Sequence, residues 1–96
     1  MFYGFTFNRK SGKVLQVVEH IGSAALKFYG MNNLTAARDF VAFDGSTGLI
    51  TCYYEGRKRG DFPKICRDME GKHISKIVND TELLKEVLGD VKEECG

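Results

Sequence analysis

An eight-residue pattern occurs twice in this chain, the second copy 36 positions after the first. Phe7-Asn8-Arg9-Lys10-Ser11-Gly12-Lys13-Val14 is matched by Phe43-Asp44-Gly45-Ser46-Thr47-Gly48-Leu49-Ile50. Each copy runs from an aromatic residue to Asn or Asp, then to a Ser/Thr-Gly pair, and returns to an aliphatic residue. Physically this is a hairpin turn. The Asn or Asp side chain bonds backbone just ahead of it, and the glycine takes the positive φ that lets the chain double back. Apolar runs rich in Phe, Val, Ile and Tyr flank both turns, so the chain is organised around two antiparallel hairpins.

The elements follow from the turns. Strands are expected at Phe2–Asn8, Lys13–Glu19, Arg38–Phe43 and Leu49–Glu55. In the first, Tyr3, Phe5 and Phe7 share one face and Phe2, Gly4 and Thr6 the other, because side chains alternate along a strand. Residues 13–21 also carry aliphatics at helical spacing. The strand reading is preferred because Val14, Val17 and Val18 lose side-chain freedom in a helix. Gly22–Met31 reads as a short helix, with Ser23 as its cap and Gly30 as its stop. Pro63 precedes a fifth strand at Lys64–Met69. A last helix starts from Asn79 or Asp80, with Glu82 placed for a capping box and a stripe of Leu84, Val87, Leu88 and Val91. Residues 73–78 have no clear assignment.

The fold class expected from this order is α+β: a two-layer sandwich with an antiparallel sheet of about five strands, two helices on one face, and element order ββαβββα. At 96 residues the chain makes a single domain, 1–96, with 92–96 expected to fray.

Composition narrows the function. Lys plus Arg is 14 and Asp plus Glu is 13, a net charge of +1, which excludes a polybasic coat for DNA and an acidic disordered tail. A hydrophobic content of 43% argues for a folded domain. Nothing resembles the roughly 20 apolar residues of a membrane helix, and Met1–Asn8 lacks the basic start of a secretory signal. Cys52, Cys66 and Cys95 are widely spaced and odd in number, against a secreted disulfide framework. A cytoplasmic protein with free thiols is expected.

No constellation points to catalysis or to a metal. His20, His73 and the three cysteines lack the short spacings of structural zinc. The nearest nucleophile and base, Cys66 and His73, would meet only through the tertiary fold. No glycine-rich segment fits a phosphate loop. No cofactor is expected, and the chain is read as a non-enzyme.

Two binding readings remain. The first is a small binding module that acts by protein–protein contact or self-association, with an unknown protein partner or a homodimer, through an uncovered, aromatic-rich sheet face on which Phe2, Tyr53 or Leu49 would lie. The second is an accessory nucleic-acid binder. Residues 49–79 carry +3 and residues 80–96 carry −4. The positive segment holds Arg57, Lys58 and Arg59 just after Tyr53 and Tyr54, cations for phosphates beside rings for stacking. The turn pattern places Arg9 and Lys10 on another hairpin tip.

Overall fold

The computed structural model describes residues 1–58 and 61–89. Both turns fold as the repeated pattern requires. β1 (Phe2–Asn8) and β2 (Val14–His20) form one hairpin, and β3 (Arg38–Asp44) and β4 (Ile50–Glu55) the other. In the first, Asn8 N–H donates to Lys13 O (2.9 Å) and Gly12 N–H to Asn8 O (2.8 Å). In the second, Asp44 N–H donates to Leu49 O (3.0 Å) and Gly48 N–H to Asp44 O (2.7 Å). Asn8 Oδ1 accepts from the backbone of Lys10 and Ser11, and Asp44 Oδ1 from that of Ser46. Gly12 and Gly48 have φ of +73° and +75°, a region costly for residues with a Cβ. Even the register irregularity is shared, at Thr6/Phe7 and at Ala42/Phe43. The stretch 13–21 therefore holds a strand, Val14–His20, and no helix.

β5 (Lys64–Ile65) completes a five-stranded antiparallel sheet in the order β2-β1-β3-β4-β5. α1 (Ser23–Asn33) links β2 to β3 across β1, and α2 (Thr81–Leu88) closes the described chain. The α+β class and the order ββαβββα are as the sequence implies.

The helices, however, lie on opposite faces. Phe5, Phe7, Val41, Phe43 and Ile50 form one buried cluster with Ile74 and Val78, and Leu83, Leu84, Val87 and Leu88 of α2 pack against it. Leu26 of α1 joins Phe40, Ala42, Cys52 and Tyr54 on the other side, with Phe2, Val18, Tyr29 and Leu34 around them. The physical reason is in β3. Phe40, Val41, Ala42 and Phe43 are an unbroken apolar run, so both of its faces need cover, whereas a strand with one wet face alternates. Phe2 and Tyr53 accordingly pack against the two buried clusters rather than on an open face, and Leu49 is 44% exposed.

Tertiary packing also shifts several boundaries. Ser23 does not cap α1; Gly22 holds the N-cap position without a side-chain bond. Gly30 does not stop the helix. It lies inside α1, where the ring of Phe40 occupies the space a Cβ would need. The fifth strand pairs only at Lys64 and Ile65, and residues Arg67–Met69 turn into a 3-10 helix. Residues 74–76 form another 3-10 turn, entered through a bridge between Leu49 and His73, and bring Ile74 and Val78 into the core. Asp80 is the cap of α2, its carboxylate accepting from Leu83 N–H at 3.1 Å. Val91, Cys95 and the expected fraying of 92–96 lie outside the described residues.

Candidate functional site

β1 ends where β3 begins and β4 ends, because Asn8 pairs with Arg38 and Asp39 with Glu55. The turn at residues 8–13, the connection at 35–38 and the loop after Glu55 thus share one end of the sheet. Asp39, 2% exposed, organises that end. Its Oδ1 accepts from Arg9 Nε at 2.9 Å and from Gly56 N–H at 3.2 Å, and its Oδ2 from the Tyr53 hydroxyl at 2.6 Å. Arg9 Nη2 lies 2.8 Å from the same Oδ1 and donates to Gly56 O at 2.7 Å, while Nη1 lies 3.4 Å from Glu55. Arg57 reaches Glu55 from the other side at 3.8 Å.

The arrangement satisfies each buried group. A carboxylate that accepts several charge-assisted or hydroxyl bonds gains far more than an exposed ion pair does. Its lone pairs are occupied by protein donors, so Asp39 serves as a clamp between β1, β3 and the loop after β4. The bond to Asp39 outweighs partial burial and holds the Arg9 guanidinium more firmly charged than usual. Burial, then the bond to Asp39, pushes the Tyr53 phenol far above its ordinary value. Tyr54, on the other face, is pushed up to about 12, chiefly by burial.

These shifts give a pH dependence. Both phenols ionise at a higher pH folded than unfolded, where a tyrosine titrates at about 10. The unfolded state therefore binds fewer protons above that point, and stability falls as pH rises. Thermal stability should begin to fall above about pH 8.5, where the unfolded thiols of Cys52 and Cys66 ionise before the buried ones, and drop steeply from about pH 10 up through 12. Melts followed by circular dichroism at increasing pH will check this; a flat profile would contradict it.

The sequence-derived nucleic-acid residues are scattered in role. Arg9 and Arg57 face acids. Lys10 and Lys58 are exposed. Arg59 lies outside the described residues. Tyr53 donates to Asp39 and meets Phe7 edge-on at 5.9 Å, and Tyr54, 5% exposed, stacks on Phe40 at 6.3 Å. Neither ring projects freely, because both sheet faces are covered. Two rings do project: Phe28, 72% exposed on α1, and Phe62, 84% exposed, beside a shallow groove of about 510 Å³ formed with Met31–Thr35 and Asp61. A large aromatic stranded in a polar loop was the signal of Phe62 in the sequence. Lys13, Arg38 and Lys64 add exposed cations to this end.

Exposed apolar side chains also occur on β2 and α1. Leu15 and Val17 on β2 are each 44% exposed, Ile21 is 81% exposed, and Phe28 and Met31 on the outer side of α1 are 72% and 39% exposed. Elsewhere, Cys66 Sγ lies 3.9 Å from Lys64 O, and His73 Nδ1 pairs with Ser75 Oγ at 2.8 Å. Cys52 and Cys66 are free thiols, both shifted up mainly by burial. Among the described residues no cluster of three or more His, Cys, Asp or Glu is placed to hold a metal, and no helix is long and apolar enough to cross a membrane.

No family model matches this chain, and neither a curated protein nor a solved structure matches it.

Proposed function

We propose that this chain is a small, non-catalytic binding module that works by protein–protein contact, self-association included. Free thiols at Cys52 and Cys66 suit the reducing cytoplasm. The observation that carries the reading is the grouping of exposed apolar side chains on β2 and α1. Leu15, Val17, Ile21, Phe28 and Met31 fall within one stretch of chain whose only full charges are Glu19 and Lys27. Single exposed apolar residues are ordinary, but so many of them within one stretch of chain that holds only two full charges mark that segment as a contact element. α1 makes the case locally. It buries Leu26 and Gly30 against the sheet yet carries Phe28 and Met31 outward, so it is apolar on two sides.

Amide NMR spectra across a dilution series test this. Shifts with concentration should fall on residues 14–31 and leave the turn at 44–49 unmoved. Spectra that do not change, or change elsewhere, would remove the reading.

A second reading rests on Phe62. An exposed ring at the same end of the sheet as Lys10, Lys13, Arg38, Lys58 and Lys64 has the composition of a single-strand nucleic-acid platform. Titration with oligonucleotides should then shift residues 55–64, fade as salt is raised, and be lost when Arg57, Lys58 and Arg59 are all replaced by serine. Shifts that persist unchanged in the triple variant would count against this loop as the binding element.

A further inference from the structure

Away from β2 and α1, one concave site gathers basic side chains. Met69, Lys72, His73 and Lys76 line a pocket of about 340 Å³, within the roughly 300–1,000 Å³ of small-molecule sites. The backbone builds it against the start of β4. Gly71 N–H donates to Ile50 O at 2.9 Å, Ile50 N–H to Lys72 O at 2.8 Å, and Ile74 N–H to Gly48 O at 2.8 Å. The 3-10 turn at 74–76 follows at once, with Lys76 N–H on His73 O at 3.0 Å, and so Lys72 and Lys76 border one pocket.

The His73 ring is fixed in place. Ser75 N–H donates to Nδ1 at 3.1 Å, and Ser75 Oγ lies 2.8 Å from the same nitrogen. The ring rests on Gly48, where a Cβ would fall on Nε2. Gly12, the matching glycine of the first turn, has nearly the same φ but open space around it, so the turn does not itself call for a ring there. A backbone N–H can only donate, so Nδ1 is an acceptor and the neutral ring carries its proton on Nε2. Among the described residues that N–H meets no acceptor. The charges are equally open. Gly71–Asn79 contains no acid, and the ion pairs among the described residues involve Arg9, Asp39, Glu55 and Arg57, never Lys72 or Lys76. Of the flanking acids, Glu70 bears on Cys52 and Tyr54, and the Asp80 carboxylate caps α2.

We propose that this pocket is an oxyanion site for a phosphate group, free or esterified, in which Lys72 and Lys76 supply charge, His73 Nε2–H supplies a directed donor, and Met69 supplies an apolar wall for the organic part of an ester. Phosphate fits this donor set better than a carboxylate does. Three separate side chains require several acceptor oxygens, and two lysines match a dianion.

The test is an NMR titration of the full chain with inorganic phosphate and with phenyl phosphate, at fixed pH and with ionic strength held constant by sodium chloride. The amides of 69–76 and the His73 ring should shift and saturate in the low millimolar range. Equal affinity for the two probes identifies free phosphate as the source; phenyl phosphate bound about tenfold more tightly identifies an ester. Lys72 and Lys76 are both exposed, so Lys72→Gln/Lys76→Gln leaves the core untouched, and circular dichroism checks its folding. That variant should bind at least about tenfold more weakly. His73→Asn keeps a side-chain acceptor for Ser75 N–H but deletes the ring donor, and should bind about threefold more weakly. Shifts that grow linearly without saturating, shifts spread evenly over all lysines, or a variant that binds as wild type does would each overturn the assignment.

Discussion

Asp39→Ala should destabilise the protein by about 3–5 kcal/mol, the cost of breaking a buried, hydrogen-bonded ion pair from one side. A domain of this size has only about 5–10 kcal/mol in total, so the variant should be largely unfolded at moderate temperature. The cost does not come mainly from Arg9. Its side chain is 38% exposed and can turn to water. It comes from the two donors that cannot turn. The Tyr53 hydroxyl, packed between Phe7 and the α2-side core, and the buried Gly56 N–H both lose their acceptor, and a buried unsatisfied donor carries its full desolvation cost. Asp39→Asn separates charge from shape. The amide keeps one acceptor but sets its NH2 against either the Arg9 or the Tyr53 donor, so it should fall between wild type and alanine, at about 2–3 kcal/mol. Urea denaturation curves of the three proteins give the comparison. A shift below about 1 kcal/mol for Asp39→Ala would mean that water replaces the carboxylate and that the clamp is not structural.

What could be read from the sequence divides by the range of the interaction that decides it. The two hairpins were legible because their turns are local. Asn8, Gly12, Asp44 and Gly48 each act on backbone within a few residues. Asp80 as a cap was legible for the same reason. Gly30 misled because the local rule, glycine as a helix stop, was overridden by Phe40, a residue in the neighbouring strand that needs the missing Cβ. The placement of the helices was written in the run from Phe40 to Phe43, whose lack of alternation marks two covered faces. Asp39 could not be read as a hub. It looks like a strand-entry charge until the fold brings Arg9 from 30 residues before it and Tyr53 and Gly56 from 14 and 17 residues after it. The same closure of both faces took Tyr53 and Tyr54 from the surface, and left Phe28 on α1 and Phe62 in its loop as the exposed rings.

Gly56→Ala should be as damaging as the loss of Asp39, for a steric rather than an electrostatic reason. A Cβ at residue 56 would fall on the carbonyl oxygens of Arg38 and Thr35. Both are backbone atoms, so no side-chain rotation relieves the overlap. One of the segments must move. The segment from Thr35 to Arg38 is already constrained: Arg38 N–H closes on Thr35 O, Ala37 holds a φ of +69°, and Ala37 O accepts from Arg9 N–H at 3.0 Å. A non-glycine residue in that region costs about 1 kcal/mol, so the surrounding contacts are already holding a strained turn in place. Moving Gly56 instead breaks its bonds to Asp39 and Arg9 together. Either route should cost about 3 kcal/mol or more, in the range reserved for overpacking coupled to a lost buried network. Gly12→Ala is the control. Gly12 has φ of +73° but open space around its Cα, so its alanine variant should cost only about 1 kcal/mol of conformational strain. Gly56 is not among the glycines with positive φ, so equal destabilisation of the two variants in urea would show that the segment from Thr35 to Arg38 gives way easily and that its close approach does not set the requirement for glycine at residue 56. A Gly56→Ala loss that is not additive with Asp39→Ala would show the two residues to be parts of one clamp.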